Sequence, residues 1–176
     1  RSSDLWHLGK HKLTFYLMPM VHWPESMATY DITDKILFSN DAFGSFGALD
    51  GAVFDDEVNT DFFTDEMRRY YSNIVGKFGA PVNAVLKKLS SVEISCICPS
   101  HGLIWKKYIK EIIERYQKWA NMEPTKEGVV IVYGSMYGHT AEMAEVLGRE
   151  LGNRGIKDVI IYDSSKTDHS YIFSTI

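Results

Sequence analysis

Hydrophobic and polar residues alternate in the first part of the chain, and this period of two is typical of half-buried β-strands. The alternation covers residues 13–17 and predicts a strand that ends at Pro19. Two further apolar runs, at residues 27–32 and 36–39, are separated by a short polar turn. Strands joined in this way predict a β-hairpin.

The hydrophobic period then changes from two to about 3.6, which predicts helices. Residues 40–60 are rich in glycine and acidic residues, and we predict an irregular loop there. A helix is predicted over residues 62–78, with Thr64 as its N-cap, and a shorter helix over 83–90. The clearest helical pattern covers residues 109–116, because isoleucines recur there at the spacing of one buried stripe.

Cys96 and Cys98 are the only cysteines in the sequence, and they lie in a predicted strand, 94–98, that Pro99 breaks. Residues two apart on a strand share a face, but they lie near the upper distance limit for a disulfide. We therefore predict two reduced, partly buried thiols, and a Cys-x-Cys metal site is the alternative. Reduced thiols are typical of a reducing cytoplasm.

Residues 121–128 are polar, contain proline and glycine and show no hydrophobic period, so we place a domain boundary in this segment. An unbroken apolar run at 129–133 follows, which is typical of a strand buried on both faces. A loop at 134–139, a helix at 140–151 and a second apolar strand at 159–162 complete a βαβ unit. Such a unit predicts a parallel sheet with a right-handed crossover.

Composition narrows the class of this chain of 176 residues. Hydrophobic residues make up 45% and charged residues 24%, which is typical of a globular protein rather than a disordered one. The charges are interspersed and sum to −4, so we expect no nucleic-acid partner. No apolar run reaches the roughly 18–20 residues that span a bilayer, and no apolar signal segment is present, so we expect no membrane partner. The chain starts at Arg1 rather than at methionine and soon enters a strand, as if it began within a domain.

The loop after the apolar run at 129–133 has the features of a phosphate site. Backbone N–H groups at the start of a helix point towards one place, where the helix dipole adds partial positive charge. Dinucleotide and nucleoside-triphosphate fingerprints are both absent, so a terminal monophosphate is the favoured ligand. An ordinary βα turn is the alternative. The candidate binding residues are Ser135, Met136, Tyr137, Gly138, His139 and Thr140.

Three residues have side chains of the type that binds metal ions: His22, Asp41 and His101. Each lies in a turn at the end of a predicted strand, where one end of a sheet would bring them together. Two imidazoles and a carboxylate suit zinc or non-haem iron, and a carboxylate can bridge two metal ions. Taken singly, a histidine is more often a packed or surface residue, and an aspartate in a turn usually caps it.

Two parts of the sequence resemble the flavodiiron protein family, in which a metallo-β-lactamase-like domain is fused to a flavodoxin-like domain. The loop at 135–140 resembles the flavodoxin loop that holds the phosphate of flavin mononucleotide (FMN). The segments that resemble the metal domain are His-Trp-Pro-Glu-Ser-Met at 22–27, Phe-Ser-Asn-Asp-Ala-Phe-Gly at 38–44, Pro-Ser-His-Gly at 99–102 and the helical segment 66–74. The two resemblances occur in the family's domain order.

This resemblance implies an α/β protein that begins with the C-terminal half of a metallo-β-lactamase-like αββα sandwich. Residues 1–123 would form this partial diiron domain, and residues 124–128 would form a linker. Residues 129–176 would form the start of a flavodoxin-like doubly wound parallel sheet that binds FMN.

The resemblance also implies roles for the candidate ligands. His22 and His101 match terminal ligands of a non-haem site with two iron ions, and Asp41 matches the carboxylate that bridges them. The family's other ligands come from a His-x-Glu-x-Asp-His motif, which this sequence lacks. His139 belongs to the phosphate loop. The remaining histidines are interpreted as surface residues: His7, His11 and His169.

The function implied by the resemblance is reduction of dioxygen to water, of nitric oxide to nitrous oxide, or of both, with electrons delivered by FMN. A rubredoxin-like protein would supply the electrons. In a cytoplasmic head-to-tail homodimer or higher homo-oligomer, the flavin of one subunit would serve the iron site of its neighbour. With three ligands and part of a flavin pocket, the chain is expected to be a piece of such an enzyme and inactive alone. The alternatives are a metal-dependent hydrolase of the same fold and a non-catalytic dimerisation partner.

Overall fold

The structure, a computed structural model, describes residues 5–176. The chain divides into two compact units, Arg1–Glu123 and Pro124–Ile176. Within the described residues, no helix is both long and apolar enough to cross a membrane.

The first unit contains one five-stranded sheet. Its strands are Trp6–Leu8 (β1), His11–Leu17 (β2), Met27–Asp31 (β3), Ile36–Asn40 (β4) and Cys96–Pro99 (β5), and they lie in that order across the sheet. The first four strands are antiparallel neighbours, and β5 pairs parallel to β4. The predicted hairpin of β3 and β4 is confirmed. Pro99 does not break the last strand as predicted but is its final residue.

Helices of the first unit follow β4 and β5. The helix α1 (Asp61–Tyr70) continues into a π-helical turn, Tyr71–Val75, and a 3₁₀ turn, Gly76–Phe78. The chain then enters α2 (Gly79–Leu89), and α3 (Ile109–Ala120) follows β5. The predicted helices are therefore confirmed, although the first one changes its geometry after Tyr70.

The predicted N-cap of α1 is wrong. Thr60, and not Thr64, occupies that position. Thr64 lies inside the helix, where its hydroxyl donates a 2.9 Å hydrogen bond to the carbonyl of Asp61. A threonine inside a helix can bond back to the preceding turn, so the residue type alone does not identify the cap.

One face of the five-stranded sheet carries the core of the first unit. Ala28, Leu37 and Ile97 are fully buried on that face and share a cluster with Val82 of α2 and Ile112 of α3. The opposite face is apolar but open. Several of its side chains are 40–65% exposed: Leu17, Met27 and Phe38. Strands with two apolar faces are typical of a sheet that is covered on both sides.

The second unit consists of β6 (Val129–Tyr133), α4 (His139–Asn153), β7 (Val159–Asp163) and α5 (His169–Thr175). The two strands pair in parallel, so the predicted strand–helix–strand unit and its parallel sheet are confirmed. The predicted burial of β6 on both faces is wrong for this unit, because Val132 is 45% exposed. Within the unit, only one side of the two-stranded sheet is covered at that position.

Candidate metal centre and phosphate loop

Strand direction brings the three candidate metal ligands to one end of the five-stranded sheet. The strands β2, β4 and β5 run in the same direction, because β2 and β4 are each antiparallel to β3 and β5 is parallel to β4. His22, Asp41 and His101 each lie in the segment that follows one of these strands. Their side chains are therefore placed near one another although they are far apart in the sequence.

Asp41 lies between the two histidines. Its Oδ2 atom is 3.3 Å from Nε2 of His22, and its Oδ1 atom is 3.6 Å from Nε2 of His101. The Asp41 side chain is 17% exposed and that of His101 is 58% exposed, so the cluster opens to solvent on the His101 side. A carboxylate that directs each oxygen at a different imidazole is arranged as a ligand that could bridge two metal ions.

Two core side chains hold the turn that carries Asp41, because they form hydrogen bonds with the backbone N–H and the backbone carbonyl of Phe43. The backbone N–H of Phe43 donates to the Tyr116 hydroxyl at 2.7 Å, and the Trp105 indole N–H donates to the Phe43 carbonyl at 3.0 Å. Burial raises the pKa of Tyr116, so this phenol stays neutral. Asn40 and Phe43 have positive φ angles of 57° and 65°, which allow the chain to turn tightly around Asp41.

Two glycines allow the Asp41 and His101 loops to lie against each other. A Cβ atom on Gly44 would be 3.0 Å from the Asp41 carbonyl and 3.2 Å from that of His101. Gly102 has a φ angle of +81°, and a Cβ atom there would overlap the Ser45 hydroxyl. The Ser45 N–H donates to the His101 carbonyl at 3.3 Å, while Ser45 Oγ is buried without a hydrogen-bond partner among the described residues.

A short loop with internal hydrogen bonds carries His22. The N–H of Met18 donates to the Ser26 carbonyl at 2.8 Å, and the N–H of Trp23 donates to Ser26 Oγ at 3.0 Å. The peptide bond between Val21 and His22 is cis. The Trp23 ring lies 5.4 Å from the His22 ring and is 58% exposed, so it covers one side of the imidazole and also faces solvent.

A pocket of about 430 Å³ lies beside His101, and Ser45, Phe46 and Tyr70 form part of its wall. The ring centroids of Tyr70 and His101 are 6.0 Å apart. Burial, followed by the nearby Asp41 carboxylate, raises the pKa of Tyr70 to about 12. The Tyr70 phenol therefore stays protonated at neutral pH and can donate a hydrogen bond. The sequence alone does not identify this residue, because it lies in the apolar stripe of α1, where aromatic side chains usually serve packing.

An ion pair supports the wall of this pocket. Arg69 pairs with Glu66 one turn earlier in α1, and these side chains are 20% and 10% exposed. The Arg69 guanidinium also lies 4.4 Å above the Phe46 ring, which in turn meets the Tyr70 ring edge-to-face at 5.1 Å. These contacts hold the Tyr70 ring in place by packing against the ring, and they do not involve the Tyr70 hydroxyl.

His11, interpreted from the sequence as a surface residue, is 34% exposed and pairs with two carboxylates, whereas His7 and His169 are exposed, as expected. His11 Nδ1 lies 2.8 Å from Oδ2 of Asp31 and 3.4 Å from Oδ2 of Asp34. Burial acts to raise the pKa of Asp31, but hydrogen bonds from a nearby backbone N–H group and from His11 outweigh it, and the net pKa is lowered. The cluster joins the start of β2 to the β3–β4 turn, at the opposite end of these strands from Asp41.

The candidate phosphate loop joins β6 to α4, as predicted for a βαβ unit. Gly138 has a φ angle of +91°, and its N–H donates to Ser135 Oγ at 3.0 Å. A Cβ atom on Gly138 would have no neighbour within 4 Å, so the surface beside it is open. The helix begins at His139, immediately after this turn, while Met136 and Tyr137 are 85% and 84% exposed. The loop therefore offers a helix N-terminus with open space beside it, which suits an anion.

Comparisons with known proteins add independent evidence. Residues 3–102 match a family model described as ODP family beta lactamase. A nitric oxide reductase of Moorella thermoacetica is 38% identical to this chain over 174 residues, which are 96% of the chain and 42% of that protein.

Two solved structures are similar along nearly the whole chain. The flavodiiron protein from Giardia intestinalis has a TM-score of 0.94 and 31% identity, over 99% of this chain and 42% of that one. The rubredoxin:oxygen oxidoreductase from Desulfovibrio gigas has a TM-score of 0.93 and 32% identity, over 99% of this chain and 44% of that one. The chain thus spans less than half the length of each of these proteins.

Proposed function

The chain belongs to the flavodiiron protein family, and we propose that the protein containing it reduces dioxygen to water, nitric oxide to nitrous oxide, or both. This is the activity of the whole protein, since the chain spans less than half the length of its relatives. The observation that carries the proposal is the position of Asp41, whose two oxygens face different histidines.

The predicted fold class is confirmed as α/β, with the C-terminal half of a metallo-β-lactamase-like αββα sandwich followed by the start of a flavodoxin-like parallel sheet. On this basis we assign residues 1–123 to a partial diiron domain and residues 124–128 to a linker. Residues 129–176 are assigned to a partial FMN-binding domain.

The side chains at the candidate metal centre fit part of a site for two iron ions. His22, His101 and Asp41 would hold the ions, the two imidazoles as neutral nitrogen ligands and the carboxylate as a ligand shared between them. When bound, the iron ions would bind and polarise the diatomic substrate, and FMN would supply electrons. The evidence for this fit is the arrangement of the ligand atoms: Nε2 of His22 lies near one oxygen of Asp41, and Nε2 of His101 lies near the other.

Two other features of the first unit support this chemistry. The hydrogen bonds to the backbone N–H and carbonyl of Phe43 hold the Asp41 turn in place, so the Asp41 carboxylate is already oriented in the absence of a ligand. The protonated Tyr70 phenol forms part of the pocket wall beside His101 and would donate a hydrogen bond to a polar group there.

The phosphate of FMN would bind at the start of α4. The N–H groups of the first helical turn have no partners within the helix, and the helix dipole adds positive charge there. Gly138 leaves open space beside these groups. The Ser135 oxygen accepts a hydrogen bond from the Gly138 N–H, so the Ser135 hydroxyl can donate its own hydrogen to the phosphate. The residues assigned to this site are Ser135, Met136, Tyr137, Gly138, His139 and Thr140.

The electron donor and the assembly are also part of the proposal. A rubredoxin-like donor is supported by the relative from Desulfovibrio gigas, which is named for oxidising rubredoxin with oxygen. We propose a head-to-tail homodimer or a higher homo-oligomer, in which the flavin of one subunit serves the metal centre of its neighbour. The free cysteines are consistent with a cytoplasmic location.

The test uses the native protein that carries residues 1–176, isolated from its source. Its intact mass, iron and FMN contents, and rates of dioxygen and nitric oxide consumption with reduced rubredoxin would be measured. We expect a mass well above 20.1 kDa, two iron ions and one FMN per subunit, and turnover of at least one gas.

Variants of the recombinant full-length protein separate the metal centre from the fold. Asp41→Asn should lower iron content and turnover, whereas Asp34→Asn, at the other end of the sheet, should leave both unchanged. Hydrolysis of a β-lactam or a thioester without FMN would contradict the proposal and favour a hydrolase. Native protein of 20.1 kDa without iron, FMN or a partner subunit would also contradict it.

A further inference from the structure

A histidine and two aspartates meet at the end of the five-stranded sheet that lies opposite the candidate metal centre. Nδ1 of His11, at the start of β2, is 2.8 Å from Oδ2 of Asp31 and 3.4 Å from Oδ2 of Asp34. One ligand atom from each of these residues lies within 4.8 Å of the other two. None of the three residues belongs to the proposed diiron site.

The cluster carries more negative than positive charge. Among the described residues, His11 is the only partner with which Asp31 or Asp34 forms an ion pair. Lys35, which follows Asp34 in the chain, pairs instead with Glu93 at 2.7 Å. Two carboxylates therefore share one imidazole, which supplies at most one positive charge. A cation bound between them would compensate the remaining negative charge.

The spacing of the three groups matches that of neighbouring ligands on one metal ion. Nitrogen and oxygen ligands about 2.1 Å from a zinc ion lie roughly 3.0–3.4 Å apart in octahedral or tetrahedral coordination. The separations from His11 Nδ1, 2.8 Å and 3.4 Å, are close to these values. Oδ1 of Asp31 accepts from the Thr33 N–H at 2.8 Å, which fixes the carboxylate and leaves Oδ2 towards the imidazole. We propose that His11, Asp31 and Asp34 bind a divalent transition-metal ion such as Zn²⁺, with water completing the coordination.

Water can reach this position, unlike the middle of the same sheet face. In the αββα sandwich, the other sheet covers the apolar side chains of this face, such as Phe38. Asp34 lies in the turn between β3 and β4, beyond Asp31 and Ile36, which form the last residue pair of that ladder. Its side chain is 51% exposed. Charged groups remain at the rim of an apolar contact because their burial is costly, so the ion would lie at the end of the sheet with water on one side.

The ligand set selects the class of ion. One imidazole nitrogen with carboxylate oxygens suits divalent ions of intermediate softness, of which Zn²⁺ is one. On binding, Nδ1 of His11 exchanges its hydrogen bond to Asp31 for a bond to the metal ion, and the neutral ring carries its hydrogen on Nε2 instead. No oxidant or reductant is required. The bound ion would join the start of β2 to the β3–β4 turn and so stabilise the folded first unit.

Zinc titration of the untagged, iron-loaded full-length protein tests the site, after a brief wash with EDTA that empties exposed sites. We expect isothermal titration calorimetry to show one Zn²⁺ per chain and the Tm to rise with Zn²⁺ concentration. His11→Gln and Asp34→Asn should each weaken this binding by about 10-fold or more and lose the rise in Tm. His7→Gln, which removes an exposed histidine of β1, is the matched control and should bind Zn²⁺ like the native chain.

Absence of Zn²⁺ binding by the native chain would overturn the proposal, and so would unchanged binding in either His11→Gln or Asp34→Asn. An equal loss in His7→Gln would also overturn it, because the binding would then belong to surface histidines in general. Circular dichroism shows whether each variant is folded, and Asp34→Ser provides a second chain that lacks this carboxylate. The site does not depend on the proposed diiron function, which the iron content and turnover of the same variants test separately.

Discussion

The backbone N–H of Phe43 donates a 2.7 Å hydrogen bond to the hydroxyl of Tyr116, and this bond joins the turn of Asp41 to the middle of α3. The bonded residues are 73 positions apart in the sequence. The orientation of the candidate bridging carboxylate therefore depends on the packing of a helix that contributes no ligand. Substitutions in the core of the first unit should change metal binding as well as stability.

Tyr116→Phe tests this coupling. The substitution leaves the buried N–H of Phe43 without its acceptor, and we expect the free energy of unfolding to fall by about 1–3 kcal/mol. Iron affinity of the full-length protein should fall as well, because the Asp41 turn is loosened. Tyr71→Phe is the matched control, because the Tyr71 hydroxyl is buried without a hydrogen-bond partner among the described residues. Urea unfolding and iron titration of both variants check the prediction, and equal effects would contradict it.

Gly102→Ala should separate the two ligand loops. Its positive φ angle alone costs an alanine about 1–2 kcal/mol, and the added Cβ would also overlap Ser45 Oγ. Gly51→Ala is the control, because Gly51 has a similar φ angle of +89° but open space around its Cβ position. We expect the free energy of unfolding to fall further in Gly102→Ala than in Gly51→Ala, by about 1 kcal/mol or more. Thermal or urea unfolding measures the difference, and no difference would mean that Ser45 moves away freely.

Asp55→Ala should destabilise the first unit more than any single surface substitution. The Asp55 carboxylate is fully buried and accepts from the N–H groups of Lys106, Lys107 and Tyr108, immediately before α3. Loss of this acceptor leaves three N–H groups to find new partners, and we expect a cost of about 2–4 kcal/mol. Asp56→Ala removes a more exposed ion pair with Lys106 and should cost less than about 1 kcal/mol. Chemical denaturation measures the free energy of unfolding of both variants, and an equal or larger loss in Asp56→Ala would contradict the prediction.

The lowered pKa of Asp31 predicts an acid-sensitive joint between β2 and the β3–β4 turn. Because the folded pKa is below the unfolded one, the contribution of Asp31 is complete above the ordinary aspartate pKa of about 3.9 and is lost as the pH falls through the folded value. We expect a weaker decrease of stability below pH 4 in Asp31→Asn than in the native chain. The exposed Asp50→Asn variant should follow the native chain. Urea unfolding at a series of pH values distinguishes the two, and parallel curves for Asp31→Asn and the native chain would contradict the assignment.

Local patterns account for the part of the fold that the sequence predicts well. The alternation in β2 is a pattern within one strand, and the hairpin of β3 and β4 joins consecutive strands through a short turn. The unit formed by β6, α4 and β7 is predicted in the same way, from the period within each element and the order of consecutive elements. The short β1 has no such pattern, because three residues cannot show a period. The error at Thr64 has a related cause, since threonine suits both an N-cap and a back-bonded position inside a helix.

These local patterns do not predict contacts between segments that are far apart in the sequence. Residue type and strand-end position singled out His22, Asp41 and His101, and family resemblance suggested their roles. The structure adds that each Asp41 oxygen faces a separate imidazole. Tyr70 and the pairing of His11 with Asp31 each depend on the packing of segments that are far apart in the chain, and neither has a sequence signal of its own.

The pairing of β5 with β4 also sets an order of events during folding. Phe38 and Cys98 lie opposite each other across this pair, 60 residues apart (98 minus 38). Closing so long a loop costs chain entropy before any contact compensates it, so β5 should dock late, after the local hairpin has formed. As the chain is synthesised, His22 and Asp41 become available well before His101. We therefore expect metal loading to follow the folding of the first unit rather than to guide it.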